Sequence, residues 1–179
     1  MSLDDLVSKY LPEYADVRMR DGSRPKRELT LRDLLSHTDG MRWEYPLVNN
    51  DISVREAARL YMAKGLKYQP GETFAYGTMR FSVAAACLEV AVGERFEDYL
   101  KRKILDPLEM KDTTFSPNAS QLKRLVSAYT SNGKPLRPAS DRCARQLVFP
   151  KERPLRPAPG GGLFSTPADV IKFSQMLAH

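Results

Sequence analysis

Tyr76 is the side chain in this sequence best placed to do chemistry. It stands in the stretch Pro70-Gly71-Glu72-Thr73-Phe74-Ala75-Tyr76-Gly77-Thr78, directly ahead of an apolar run from Met79 to Val92 that ends at Gly93. Pro70-Gly71 is a turn dipeptide, because Pro fixes one φ and Gly accepts a positive one. The run behind it is apolar on nearly every side, so a helix there is expected to be buried all round. A tight turn thus delivers a phenol to the mouth of a central helix. There it can move a proton, or it can simply pack.

Other reactive residue types are weaker candidates. Ser-x-x-Lys, the spacing of a nucleophile and its activating ammonium, occurs at Ser23–Lys26, Ser120–Lys123 and Ser131–Lys134. Chance supplies about one such string in a chain this rich in Ser and Lys. Ser23 is followed by Arg24-Pro25 and Ser131 sits on the turn dipeptide Asn132-Gly133, which leaves Ser120 as the one able to start a helix. Ser36 and His37 are adjacent, and neighbours on a helix point about 100° apart, so they cannot share a catalytic hydrogen bond. His37 is read as structural. Cys87 lies inside the apolar run as a small buried residue, and with Cys143 it makes neither a disulfide framework nor a zinc site. Two histidines, His37 and His179, are too few for a metal cluster, so no metal or other cofactor is expected.

The elements that must position Tyr76 are mostly helices. Leu3, Leu6, Val7, Tyr10 and Leu11 have helical spacing, stopped by Pro12. Thr30 and Asp33 form a capping box for a short helix over 31–37, with Leu31, Leu34 and Leu35 inward. Trp43, Tyr45 and Pro46 make an aromatic loop suited to lining a cleft. Ser53 and Glu56 are a second capping box, and Val54, Ala57, Ala58 and Tyr61 give an amphipathic helix over 53–64. After the central helix, residues 94–103 read as helix with Phe96, Tyr99, Leu100 and Ile104 inward. Residues 125–130 and 135–138 suggest a small hairpin around Asn132-Gly133, and 139–157 are irregular and proline-rich. Gly160-Gly161-Gly162 permits close backbone approach but is not a phosphate loop, since no Gly-Lys-Ser/Thr follows. Thr166 and Asp169 cap a last helix, with Pro167 at its first position and Val170, Phe173 and Leu177 inward.

Several of these stretches, taken together, resemble the class C β-lactamase-like serine hydrolases, a family that includes penicillin-binding proteins, D-amino-acid-releasing peptidases and esterases. The residues that carry the resemblance are Pro70-Gly71-x-x-Phe74-x-Tyr76, Leu29 to Met41, Phe96 to Leu100, Ile104 to Phe115, and Pro157 to Thr166. It runs from Leu3 to Leu177 and corresponds to the middle of the family's sequence. The fold implied is mainly α, a single helical domain over 1–179 with at most a small β-hairpin, and with the family's flanking α/β domain absent. The nucleophile implied is a Ser in Ser-x-x-Lys upstream of the residues matching Leu3 to Pro12. A third motif, Lys-Thr-Gly or His-x-Gly on a sheet strand, is expected beyond His179.

By the same resemblance, Tyr76 is the residue that accepts and returns the proton as the serine attacks an amide or ester carbonyl. A phenol with an ordinary pKa near 10 is a poor base, so ammonium groups from the other motifs must assist it. Thr78 stands at a substrate-binding position where the family has Asn. One hydroxyl replaces an amide that both donates and accepts, which disfavours β-lactam turnover relative to ester or peptide cleavage. The expectation is a hydrolase fragment, inactive alone, whose parent takes a small-molecule or peptide substrate. The alternative is a non-catalytic scaffold or interaction module of the same fold. A domain face left uncovered is expected to drive self-association.

Composition bounds the rest. A chain of 179 residues with 42% hydrophobic and 28% charged content fits a globular protein with one good core. The net charge of +6 raises nucleic acid as a partner, but the basic residues are dispersed among 22 acids, so no nucleic-acid role is expected. No apolar run approaches the roughly 18 residues that span a bilayer, and no signal peptide is visible at Met1. Compartment is left open.

Overall fold

In the computed structural model the described residues are 1–42, 52–126, 129–130, 137–138 and 157–178. The aromatic loop Trp43–Pro46, the Ser131–Lys134 string, Cys143 and most of the irregular stretch lie outside them. The chain divides into two compact units, the first Met1–Leu100 with Leu155–Gly161, the second Lys101–Pro154 with Gly162–His179.

The first unit opens with a departure from the helical pattern. Residues 3–7 give their backbone groups to residues 29–32 instead of to their own i−4 neighbours. Val7 donates to the Leu29 carbonyl, Leu31 to that of Asp5 and Arg32 to that of Leu3, at 2.9, 3.1 and 2.7 Å. Only two 3₁₀ turns form, Val7–Lys9 and Pro12–Asp16, the second with Pro at its start. Val7 and Leu11 are buried, whereas Leu3 and Leu6 are exposed. Long-range pairing outcompetes a helix too short to be stable by itself. Tyr14 is buried in the second turn, and its hydroxyl donates to the Ala58 carbonyl at 2.8 Å.

Helix α1, Leu31–Leu35, carries the expected capping box between Thr30 and Asp33. It ends two residues earlier than its pattern predicts, and Leu35 faces solvent while Leu31 and Leu34 are buried. Helix α2, Val54–Met62, buries Val54, Ala57, Ala58 and Tyr61, the four residues its period selects. Ser53 accepts from the Glu56 amide, but the Glu56 carboxylate turns to Arg59 and leaves the second box half made.

Helix α3, Met79–Val92, packs against α1 and α2. It is buried from Met79 through Cys87 except at Phe81 and Ala84, which are partly covered; Val90 and Ala91, in its last turn, are exposed. Burial all round therefore holds for its first two-thirds only. Gly93 closes it in the left-handed conformation at φ 74°. Helix α4, Phe96–Leu100, follows with Phe96 partly buried.

The second unit begins with a π-helical turn, Lys101–Leu105. Helix α5, Ala119–Leu122, is capped by Asn118, and Tyr129–Thr130 (β1) pairs antiparallel with Arg137–Pro138 (β2). Thr114 and Phe164 exchange backbone hydrogen bonds at 2.9 Å. Helix α6, Pro167–Ala178, is fastened at its first turn, where buried Asp169 accepts from the Asp112 amide at 2.8 Å and the Thr113 hydroxyl at 2.9 Å. Of the stripe expected to face inward, Phe173 is half-buried, but Val170 and Leu177 are exposed, as are Ile171 and Met176. Among the described residues no helix is long and apolar enough to cross a membrane.

Candidate active site around Tyr76

Tyr76 is not sealed in the interior. Its side chain is 70% exposed, and its ring lies against the His37 imidazole at 5.0 Å between centroids and 29° between planes. The turn that carries it is bound to the segment after α1 at three backbone points. Gly71 donates to the Thr38 carbonyl at 2.8 Å and Ala75 to the His37 carbonyl at 2.9 Å. Gly77 donates to the His37 ring at Nδ1, 3.4 Å away. Edges of Phe74 and Phe81 meet the same imidazole at 5.5 and 5.4 Å.

His37 sits at φ +60°, a left-handed conformation that a side chain beyond glycine enters at a cost. Burial and the nearby Arg80 charge hold its imidazole below the ordinary histidine range, the Gly77 hydrogen bond offsetting part of this. Three residues on, Gly40 has φ +79°, and a Cβ there would come within 2.0 Å of the Tyr68 carbonyl oxygen. Its own carbonyl accepts from Lys67 and Tyr68 at 2.8 and 3.0 Å. The loop from His37 to Gly40 is therefore fixed to the chain that leads into the Tyr76 turn.

Beneath it lies a charged pair that pattern reading overlooks. Arg80 and Asp39 are both 0% exposed, with Arg80 Nε 3.3 Å from Asp39 Oδ2. Arg80 also donates to the Met41 carbonyl at 3.1 Å and reaches the Tyr61 hydroxyl at 3.4 Å. Asp39 Oδ1 accepts from the Met41 amide at 3.0 Å. Burial pushes the Asp39 carboxyl up to about 6, because the Arg80 charge and the Met41 hydrogen bond offset only part of the desolvation. The signal available in the sequence is Arg80 itself, the one basic residue in the largely apolar run from Met79 to Val92.

Thr78 is half-buried at the start of α3, and its hydroxyl makes no capping bond. Gly160 lies directly against it: a Cβ at Gly160 would meet the Thr78 carbonyl oxygen at 2.6 Å and its Cβ at 2.8 Å. The close approach anticipated for the glycine run thus falls on the substrate-binding candidate. Tyr76, Thr78, His37 and Gly160 all belong to the first unit.

The two serine strings among the described residues are occupied otherwise. Ser23 Oγ donates to Asp21 at 2.6 Å, and Ser120 Oγ donates to the capping Asn118 at 2.8 Å. Ser36 Oγ donates back to the Arg32 carbonyl at 2.8 Å, not to His37. The Cys87 thiol is buried and pushed up to about 12 by that burial and by Glu13. Among the described residues no group of His, Cys, Asp and Glu is arranged to hold a metal ion.

The whole chain, residues 1–179, matches the family described as Beta-lactamase, and the protein belongs to that family. It is 31% identical over 181 residues to the D-alanyl-D-alanine-carboxypeptidase/endopeptidase AmpH of Escherichia coli K12, covering 98% of this chain and 42% of AmpH. Its fold is similar to that of EstCE1, a hydrolase with promiscuous acyltransferase activity, with a TM-score of 0.78 at 22% identity over 99% of this chain and 52% of that one. It is also similar to a β-lactamase/D-alanine carboxypeptidase from Yersinia pestis, solved with citrate, with a TM-score of 0.68 at 26% identity over 98% of this chain and 46% of that one. The chain thus spans about half of each of these relatives. Helix-rich architecture and β-lactamase-like kinship both agree with the resemblance drawn from the sequence.

Proposed function

We propose that this chain carries the tyrosine side of the active site of a β-lactamase-like serine hydrolase, and that its parent cleaves amide or ester bonds through an acyl-enzyme. Residues 1–179 correspond to the helical portion of that fold. The observation that carries the reading is Tyr76: a solvent-facing phenol at the entrance to α3, held by bonds on both sides in sequence instead of being packed into the core. Tyr76 transfers the proton between nucleophile and leaving group, and Thr78 contacts the substrate. Ser23 and Ser120 serve as turn and cap hydroxyls; following the family pattern, the nucleophile is assigned outside residues 1–179, and the chain alone is inert. Thr78 offers one hydroxyl for substrate binding, which favours a D-peptide or ester over a β-lactam. The activity of AmpH, a D-alanyl-D-alanine carboxypeptidase and endopeptidase, supports the peptide class.

The test is to treat the full-length parent and this chain with a fluorescent penicillin-type acylating probe and a chromogenic ester. The parent is expected to be labelled and to hydrolyse the ester, the isolated chain to do neither, and Tyr76→Phe in the parent to lose at least about a hundredfold in rate. A parent inert towards both reagents, or unaffected by Tyr76→Phe, overturns the reading in favour of a scaffold of the same fold. The exposed apolar residues of α6 accompany this reading, and we assign them to self-association of the isolated chain.

A further inference from the structure

We propose that His37 is the positioning residue of Tyr76, holding it through its carbonyl on Ala75, its ring nitrogen on Gly77 and its ring face on the phenol. The inference rests on the reading of Tyr76 as the proton-transfer residue. The two residues that flank Tyr76 are both hydrogen-bonded to this one histidine, at 2.9 Å and 3.4 Å, and the tyrosine ring itself stacks on it at 5.0 Å. The phenol is 70% exposed, and among the described residues His37 is its ring partner. The left-handed backbone at His37 is what turns its carbonyl and its ring towards the same segment, and such strain concentrates where a group must be aimed.

The clamp works in one protonation state. An amide N–H only donates, so Nδ1 must be unprotonated to accept from Gly77, and the neutral ring carries its proton on Nε2. Protonating the ring places a donor against a donor and breaks the bond. The fold opposes that protonation through burial and through the positive charge of Arg80, carried on α3. On its own segment, Asp39 is engaged with Arg80; in the facing turn, Tyr76 is the titratable neighbour and Glu72 is paired with Lys26. A histidine kept neutral by folding contributes stability that is complete above its unfolded pKa near 6.5 and is lost as pH falls through the lower folded value. The clamp is therefore closed at neutral pH and opens as pH falls through the folded value.

The test uses this chain labelled with nitrogen-15. It has two histidines, and the signal that vanishes in His37→Asn is that of His37. Long-range correlation spectra are expected to report the Nε2–H tautomer and a titration midpoint below 6.5. Exchange at the Gly77 amide, corrected for its intrinsic rate, should be about fivefold slower at pH 7.5 than at a pH below the measured midpoint, the size of one ordinary net hydrogen bond. Asparagine tolerates the left-handed backbone and places an acceptor oxygen near the Nδ1 position, so His37→Asn should keep the Gly77 protection and lose its pH dependence. His37→Ala should lose it at both pH values; should that variant fail to fold, His37→Asn carries the comparison. An Nδ1–H tautomer, or Gly77 exchange that has the same pH dependence in His37→Asn, overturns the inference. None of this requires turnover, so an inert parent would remove the catalytic reading and leave the clamp measurements to stand or fall separately.

Discussion

Asp33 shows how one carboxylate fixes the approach to the Tyr76 turn. It accepts from both terminal nitrogens of Arg27 at 2.6 and 2.8 Å and from the amide and hydroxyl of Thr30 at 2.9 and 2.8 Å. Arg27 in turn lies where a side chain at Gly71 would be, 2.6 Å from the missing Cβ, so the same ion pair backs the Pro70-Gly71 turn. Burial raises the Asp33 carboxyl, but the Arg27 and Thr30 hydrogen bonds outweigh it and leave the group below its usual range. Its contribution is therefore present above the unfolded pKa near 3.9 and lost as pH falls through the folded value. Asp33→Ala is expected to cost about 2–4 kcal/mol at pH 7 by urea unfolding, with the difference from wild type shrinking in acid below about pH 4. The Thr30–Asp33 box was legible because its spacing is local. Arg27 was not, since nothing in the five residues between them says which cation the fold will return to Asp33. Tyr76 was found through its turn and the helix behind it, whereas the part His37 plays depends on a left-handed backbone that no residue type at position 37 announces.

At the scale of elements, the Asp39–Arg80 pair decides how the loop after α1 meets the start of α3. Two desolvated charges with bonds to the Met41 backbone and contact with Tyr61 fix that approach more than they stabilise it. Arg80→Met should cost about 3–5 kcal/mol, because it strands a buried carboxylate. Adding Asp39→Asn should recover part of the loss, since a neutral amide still accepts from Met41; an additive result in equilibrium unfolding would refute the coupling. The Asp39 carboxyl titrates near 6, well above its unfolded value. Its contribution is complete below about pH 3.9 and lost as pH rises through 6. The double variant should therefore show less loss of stability between pH 4 and 6.5 than wild type. Element type was legible where one face is buried, as in α2, whose four inward residues follow from period alone. It failed at residues 3–11, where the same period is present but the backbone pairs with residues 29–32.

For the whole molecule, the exposed apolar residues of α6 set the expected behaviour in solution. Val170, Ile171, Met176 and Leu177 are open to solvent while the helix is held by Asp169 and by Lys172, whose ammonium donates to the Glu109 carbonyl at 2.6 Å. Sedimentation of the isolated chain should give a mass that rises with concentration, and Ile171→Lys with Leu177→Lys should return it to a monomer. A monomer for wild type at high concentration would contradict the assignment of that face. The helix was legible from Thr166-Pro167-Ala168-Asp169, but its orientation was not, because an amphipathic period says which residues share a face and not what covers it.

The contact between Gly160 and Thr78 sets an order on synthesis. A ribosome releases the turn and the first residues of α3 about eighty residues before it releases the glycine that lies against them. Closing so long a loop is slow relative to forming the local helices on either side. The nascent chain therefore holds Thr78 without its glycine cover while the intervening stretch is made.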